Sequence, residues 1–294
     1  MGPARACRSA RLGEGPVIEW IMTLIRWLRD FSLRDFLSRL SPWTGVRLPT
    51  DPIPGEWAAI VADRVPLASR LAAEDRERLY RLMQLFLEEV PIEGVAGLEP
   101  TEEIRVTIAA QACLLLLHMA YPRYTRVRRV LVYPWTFVPK TVPTLASGHI
   151  VPTEVPLRGQ AWPNGVVVLG WDAVERGTVS SADGGNVVLH EFAHMLDAED
   201  GSMNGVPVLD SGSAYRQWAA LLATRFTEHV ARTEQGEETT LDPYGAENRA
   251  EFFAVATEAF FERPAELRDG EPELYRLLSG FYRLDPAPVA PHGS

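Results

Sequence analysis

The sequence predicts an α+β fold on three observations: helical periodicity between residues 57 and 120, a short middle section of β-branched runs, and a return of helical periodicity after Asn186. Strands gathered in the middle of the chain, instead of alternating one by one with helices, argue against repeated βαβ units. The 294 residues are 46% hydrophobic and 23% charged, a balance that supports a packed core rather than a disordered chain. No repeat of fixed period and no low-complexity segment outside the two tails is present.

Each element follows from its local pattern. Residues 1–17 are rich in Arg, Gly and Pro without periodicity, and are expected to form a flexible tail or to reflect a start placed too early, with Met22 the alternative. Residues 18–48 are expected to be an amphipathic helix and a linker. Trp20, Ile21, Leu24, Ile25, Leu28, Phe31 and Leu40 recur at helical spacing among Arg26, Arg29, Arg34 and Arg39. The apolar stripe over residues 18–40 either packs on the main domain or makes a peripheral membrane or partner contact. Ser41-Pro42 ends it, and Pro49, Pro52 and Pro54 mark the linker.

A single domain is expected over 49–286, followed by a flexible tail over 287–294. Helices are predicted over 73–89 and 101–120, and strands over 130–133, 149–155 and 166–169, rich in β-branched residues and bounded by Pro and Gly. The longest apolar stretch, 108–121, contains Gln111 and His118 and falls short of the ~20 residues that span a bilayer, so it reads as a core helix and no transmembrane segment is expected.

Charge and cysteine usage exclude several functions. A formal charge of −10 opposes direct nucleic-acid binding, which rests on a basic surface neutralising phosphates. Cys7 and Cys113 are too few for a disulfide framework or a cysteine-based zinc cluster. Arg5, Arg8 and Arg11 precede an apolar stretch, but Glu19 and Arg26 interrupt it and no small-residue cleavage site follows. A cytoplasmic location is expected.

The chemistry concentrates in His190-Glu191-Phe192-Ala193-His194, an HExxH pentapeptide after the apolar run Val187-Val188-Leu189. On a helix, positions i and i+4 share a face, so both imidazoles can converge on one ion with Glu191 beside it. Asp183-Gly184-Gly185-Asn186 suits the start of that helix. His190, His194 and Asp197 form one polar stripe on an otherwise apolar helix. Two neutral imidazoles and a third protein ligand leave a fourth zinc position for water, and Glu191 is placed to take that water's proton as it attacks a carbonyl.

The third ligand is less determined. In the long metzincin form a turning glycine and a third histidine follow, but Asp197 and Asp200 occupy those positions here, which leaves Asp200 a minor candidate. A helix expected over 246–261 covers most of its circumference with Phe252, Phe253, Val255, Ala256, Ala259 and Phe260, and places Glu247, Glu251 and Glu258 on one narrow strip. Spacing does not choose among these three.

The segments HEFAHMLD, NGVPVL and DPYGAENRAEFFAVATEAFF, with RRVLVYPWTFV and GQAWPNGVVVLGWDAV upstream, resemble the Mlc titration factor A family of bacterial zinc-dependent peptidases over residues 60–286. The resemblance implies a zincin-like domain with an HExxH helix, a small mixed sheet and a helical remainder. It implies a gluzincin-like site holding one zinc ion through His190, His194 and Glu251, with Glu191 as general base and the Tyr244 hydroxyl stabilising the oxyanion. Peptides or proteins are the implied substrates, aminopeptidase action among the forms of cleavage. A transcriptional repressor is the implied alternative partner, since the family's namesake sequesters one. Asp197 and Glu258 are candidates to orient the histidines.

The remaining histidines, His118, His149, His229 and His292, are expected to be structural or solvated. Trp135 and Trp162 could line a substrate groove, although lone aromatics more often belong to a core.

Overall fold

A computed structural model describes residues 46–136, 159–162, 164–179 and 185–287. The expected helix over 18–40, the strand over 149–155, the tails beyond these limits, Cys7, His149 and His292 lie outside the described residues.

The first helices are α1 (Gly55–Arg64), α2 (Pro66–Ser69) and α3 (Ala73–Glu89). In α3 the buried side chains Leu79, Leu82, Met83 and Phe86 follow the i, i+3, i+4, i+7 rule that puts one stripe on the core. The short strand β1 (Ile92–Gly94) precedes α4 (Glu102–Leu114), whose start is capped by the Thr101 hydroxyl accepting the Ile104 amide. Ten of the residues of α4 are buried, including Cys113, so the expected core helix is present. It ends at Leu114, with turns carrying the chain on to His118.

Strands β2 (Arg129–Tyr133), β3 (Gly159–Ala161) and β4 (Val166–Gly170) complete a mixed sheet of order β1-β2-β4-β3. β1, β2 and β4 are parallel, and β3 pairs antiparallel with β4 at one edge. The register sets Val130 opposite Val167 and Val132 opposite Leu169, all four fully buried. The α+β class therefore holds, with one difference: β1, α4 and β2 form a parallel crossover that the sequence pattern did not reveal. Three residues, Ile92-Glu93-Gly94, are too few to display a two-residue period.

The helical remainder begins with α5 (Trp171–Val179) directly after β4, followed by α6 (Val187–Asp197) and α7 (Gly212–Glu234). It continues with α8 (Arg249–Glu262), α9 (Pro264–Gly270) and α10 (Pro272–Tyr282). Helix α6 is packed on nearly every side. Phe192 sits edge-on to Phe86 at 5.6 Å and 4.9 Å from Tyr124, and its fully buried ring contributes about 1.5–3 kcal/mol by burial. Truncating it to alanine would cost about 3–5 kcal/mol.

Helix α8 lies against α6 and is buried along almost its whole length, with Phe260 stacked on Tyr282 at 5.6 Å. It starts three residues later than expected, because Asn248 accepts the amides of Ala250 and Glu251 and caps it there. A short 3-10 turn, Pro243–Ala246, precedes the cap. Among the described residues no helix is long and apolar enough to cross a membrane.

Candidate metal centre

The site forms where α6 meets α8. Asn186 starts α6 by accepting the Leu189 amide at 3.1 Å, which sets the helical phase that turns His190 and His194 to one face. His190 Nε2 and His194 Nε2 are 3.2 Å apart. Glu251 Oε2, from the first turn of α8, lies 3.0 Å from the former and 3.2 Å from the latter. These three are the group among the described residues whose side chains could hold a metal ion.

The other two glutamates of the predicted strip take different places. Glu258 puts Oε1 2.6 Å from His190 Nδ1, on the far side of that ring, while Glu247 falls before the Asn248 cap and is exposed. Asp197 accepts the Gly205 amide at 2.7 Å and so ties the end of α6 to the following loop. Asp200 accepts the amide and hydroxyl of Ser202 in an exposed turn.

Burial and charge set the proton affinities. Burial opposes a charge on His190, but the Glu258 carboxylate and hydrogen bonds with Glu251 and Glu258 outweigh it and hold the imidazole well above its ordinary range. Burial also works against the Glu251 charge, yet the two histidines pull its carboxyl down to about 2. Glu191, 5% exposed, is pushed by burial up to about 7 despite both histidines.

Tyr244 stands in the Pro243–Ala246 turn with 45% of its surface exposed, its ring 5.9 Å from that of His190. Burial and the negative charges of Glu251, Glu247, Glu191 and Glu258 raise its phenol well above the ordinary range, so it stays a donor at neutral pH.

The family profile of the glucose-regulated metallo-peptidases M90 matches residues 40–283. The chain belongs to that family. An uncharacterised protein of Synechocystis sp. is 38% identical over 246 residues, covering 83% of this chain and 89% of the relative. Mlc titration factor A of Pectobacterium atrosepticum is 30% identical over 233 residues, 78% of this chain and 86% of the relative. Mlc titration factor A of Cronobacter sakazakii is 30% identical over 244 residues, 80% and 87% of the two chains. The resemblance read from the sequence segments is thus the family relationship that the comparisons find.

Membership in the M90 metallo-peptidases implies a metal ion, and the residues present fit one. Three donors around a tetrahedral zinc ion at ~2.0–2.1 Å are about 3.3 Å from one another, close to the spacings of 3.0, 3.2 and 3.2 Å between His190, His194 and Glu251. Two imidazole nitrogens and a carboxylate oxygen facing one point also need a cation or shared protons between them.

His229 takes the structural alternative of its expectation: it is 6% exposed, and its Nε2–H donates to the Asp242 carbonyl at 3.1 Å. It thereby anchors the turn that carries Tyr244, where Gly245 packs beside the His229 ring. Gly159 of β3 lies against Glu191 so closely that a methyl group there would fall 2.7 Å from Glu191 Oε1. His118 pairs with Asp75 at 3.1 Å. Trp135 and Trp162 are 59% and 42% exposed, so neither belongs to the core.

Proposed function

We propose that this chain is a cytoplasmic zinc-dependent peptidase with a gluzincin-like, zincin-type site. The convergence of His190 Nε2, His194 Nε2 and Glu251 Oε2 beside a buried Glu191 is the observation that carries this reading. His190, His194 and Glu251 hold one zinc ion. When bound, the ion polarises a carbonyl oxygen and makes water acidic near neutral pH.

The chain's own groups do the rest. Glu191 accepts the proton of the attacking water on its buried carboxylate and returns it to the leaving amine. Tyr244 donates its phenol hydrogen to the oxygen on which charge develops, a contact that strengthens only in the transition state. Glu258 orients the His190 ring through Nδ1. Among the described residues β3 is an edge strand that begins beside Glu191, and an edge strand offers an extended peptide a backbone to align with.

The test is cleavage of a mixed peptide library together with metal analysis. Wild type should carry about one zinc and cut peptides, and the product ends separate aminopeptidase from internal cleavage. Glu191→Gln should keep the zinc and lose cleavage, and a Glu191→Gln protein that still cuts would sink this reading.

The name of the relatives from Pectobacterium atrosepticum and Cronobacter sakazakii favours a second reading, in which the chain binds a transcriptional repressor of the Mlc kind. Repressor capture would then survive Glu191→Gln, and no interaction between the purified proteins would discard it.

A further inference from the structure

Asn186 joins the two helices that carry the metal-binding side chains, with hydrogen bonds in both directions. Toward α6, its Oδ1 accepts the Leu189 amide at 3.1 Å and its carbonyl accepts the His190 amide at 3.0 Å. Toward α8, its backbone amide donates to Glu258 Oε2 at 2.7 Å and its Nδ2 donates to Glu262 Oε1 at 2.9 Å. All three residues are buried, where such bonds are strong and their loss is costly.

Capping α6 does not require an asparagine. Ser, Thr or Asp supplies the acceptor that a helix start needs. Asp lacks a donor, and Ser and Thr carry donor and acceptor on one oxygen. Asn alone offers α6 an acceptor and a buried carboxylate a donor from two separate atoms. The Nδ2 bond to Glu262 therefore exceeds what capping explains.

Its geometry relates to the metal site. Glu258 and Glu262 are one turn apart on α8, and Asn186 grips both. With Glu258 Oε2 held by the Asn186 amide, Oε1 is left to face His190 Nδ1 at 2.6 Å. A slip of α6 by one residue along its axis would move the imidazoles by ~1.5 Å, far outside the ~0.2 Å that a metal site tolerates.

We propose that Asn186 is a positioning residue for the metal centre. Its side-chain amide on Glu262 and its backbone amide on Glu258 set the register of α6 against α8, and with it the spacing of the His190 and His194 Nε2 atoms from Glu251. This rests on the metal site proposed above.

The Asn186–Glu262 bond can be reversed, which gives a test. Asn186→Asp keeps the cap but sets two carboxylates against each other, and adding Glu262→Gln restores a donor from the other side. The full-length wild type, both single variants, the double variant and His190→Ala are compared. Zinc affinity is measured by competition with a chromophoric chelator, and kcat and KM on a peptide substrate.

Asn186→Asp should weaken zinc by about 10-fold or more and lower kcat with little change in KM. Glu262→Gln alone should change little, because its amide oxygen can still accept from Asn186. The double variant should recover zinc affinity to within about threefold of wild type. Wild-type affinity in Asn186→Asp, or a double variant no better than Asn186→Asp, overturns the proposal. If Asn186→Asp does not fold, Asn186→Ser keeps the acceptor for the cap but has no second polar atom to reach Glu262, and unchanged zinc binding there overturns it equally. Zinc binding that His190→Ala leaves intact would instead bring down the metal site on which the proposal stands.

Discussion

Glu258 Oε1 stands 2.6 Å from His190 Nδ1, on the side of the ring away from His194 and Glu251. The contact fixes the tautomer: with the proton on Nδ1, Nε2 presents its lone pair to the metal. Glu258→Gln removes the charge that makes the ring a stronger donor to the ion, and its single oxygen can accept from Nδ1 or from the Asn186 amide but not from both. Zinc affinity should fall by about 10- to 100-fold while the fold persists. Chelator competition checks it, and an unchanged dissociation constant would show that the carboxylate does not act on the metal.

Gly159 admits the Glu191 carboxylate because it has no side chain. A Cβ there would lie 2.6 Å from Val187 Cγ2 and 2.8 Å from Glu191 Cγ as well as against Oε1, so either β3 withdraws from α6 or Glu191 turns away. Gly159→Ala should therefore lower kcat by about 10-fold or more and leave bound zinc unchanged, since the atoms a Cβ would meet first belong to Val187 and Glu191 and not to His190, His194 or Glu251. Kinetics paired with metal analysis would show it, and loss of zinc in parallel would mean the damage reaches the whole site.

Tyr244→Phe removes one hydroxyl and no other atom. A donor aimed at developing oxyanion charge contributes about 10²- to 10³-fold to kcat, and this phenol stays protonated at neutral pH because burial and four surrounding carboxylates oppose its ionisation. The expected result is a kcat loss of that order with KM within about threefold. A variant with wild-type kcat would return Tyr244 to a packing role against His190.

The histidine pair was legible in the sequence because an i, i+4 spacing fixes a shared helical face whatever the tertiary structure does. The third ligand was not, because Glu247, Glu251 and Glu258 share one strip and only the position of α6 separates them. Glu251 meets Nε2 of both rings, Glu258 meets the opposite nitrogen of His190, and Glu247 precedes the cap. The α+β class was readable from the blocks of periodicity, but β1 and β3, three residues each, are too short to show a period. For His229 the sequence left a structural and a solvated role open; it is structural, and its partner is the backbone carbonyl of Asp242, thirteen residues on. A backbone acceptor leaves no mark in a sequence.

Asp197 makes a stability prediction of unusual sign. It is fully buried at the end of α6, and burial pushes its carboxyl from 3.8 up to about 6 in spite of the Gly205 amide. Between those values the folded, metal-free chain binds more protons than the unfolded one, so stability falls as pH rises, and the penalty is complete above about pH 6. At about 1.4 kcal/mol per unit, the raised value corresponds to a penalty on the order of 2–3 kcal/mol. Asn at 197 keeps an oxygen for the Gly205 amide and carries no charge to bury. Metal-free Asp197→Asn should therefore be more stable than wild type by about 1–3 kcal/mol at neutral pH, with the gain shrinking steadily as the pH drops toward 4. Urea denaturation across that range decides it, and a gain independent of pH would show that the effect does not come from ionisation of Asp197.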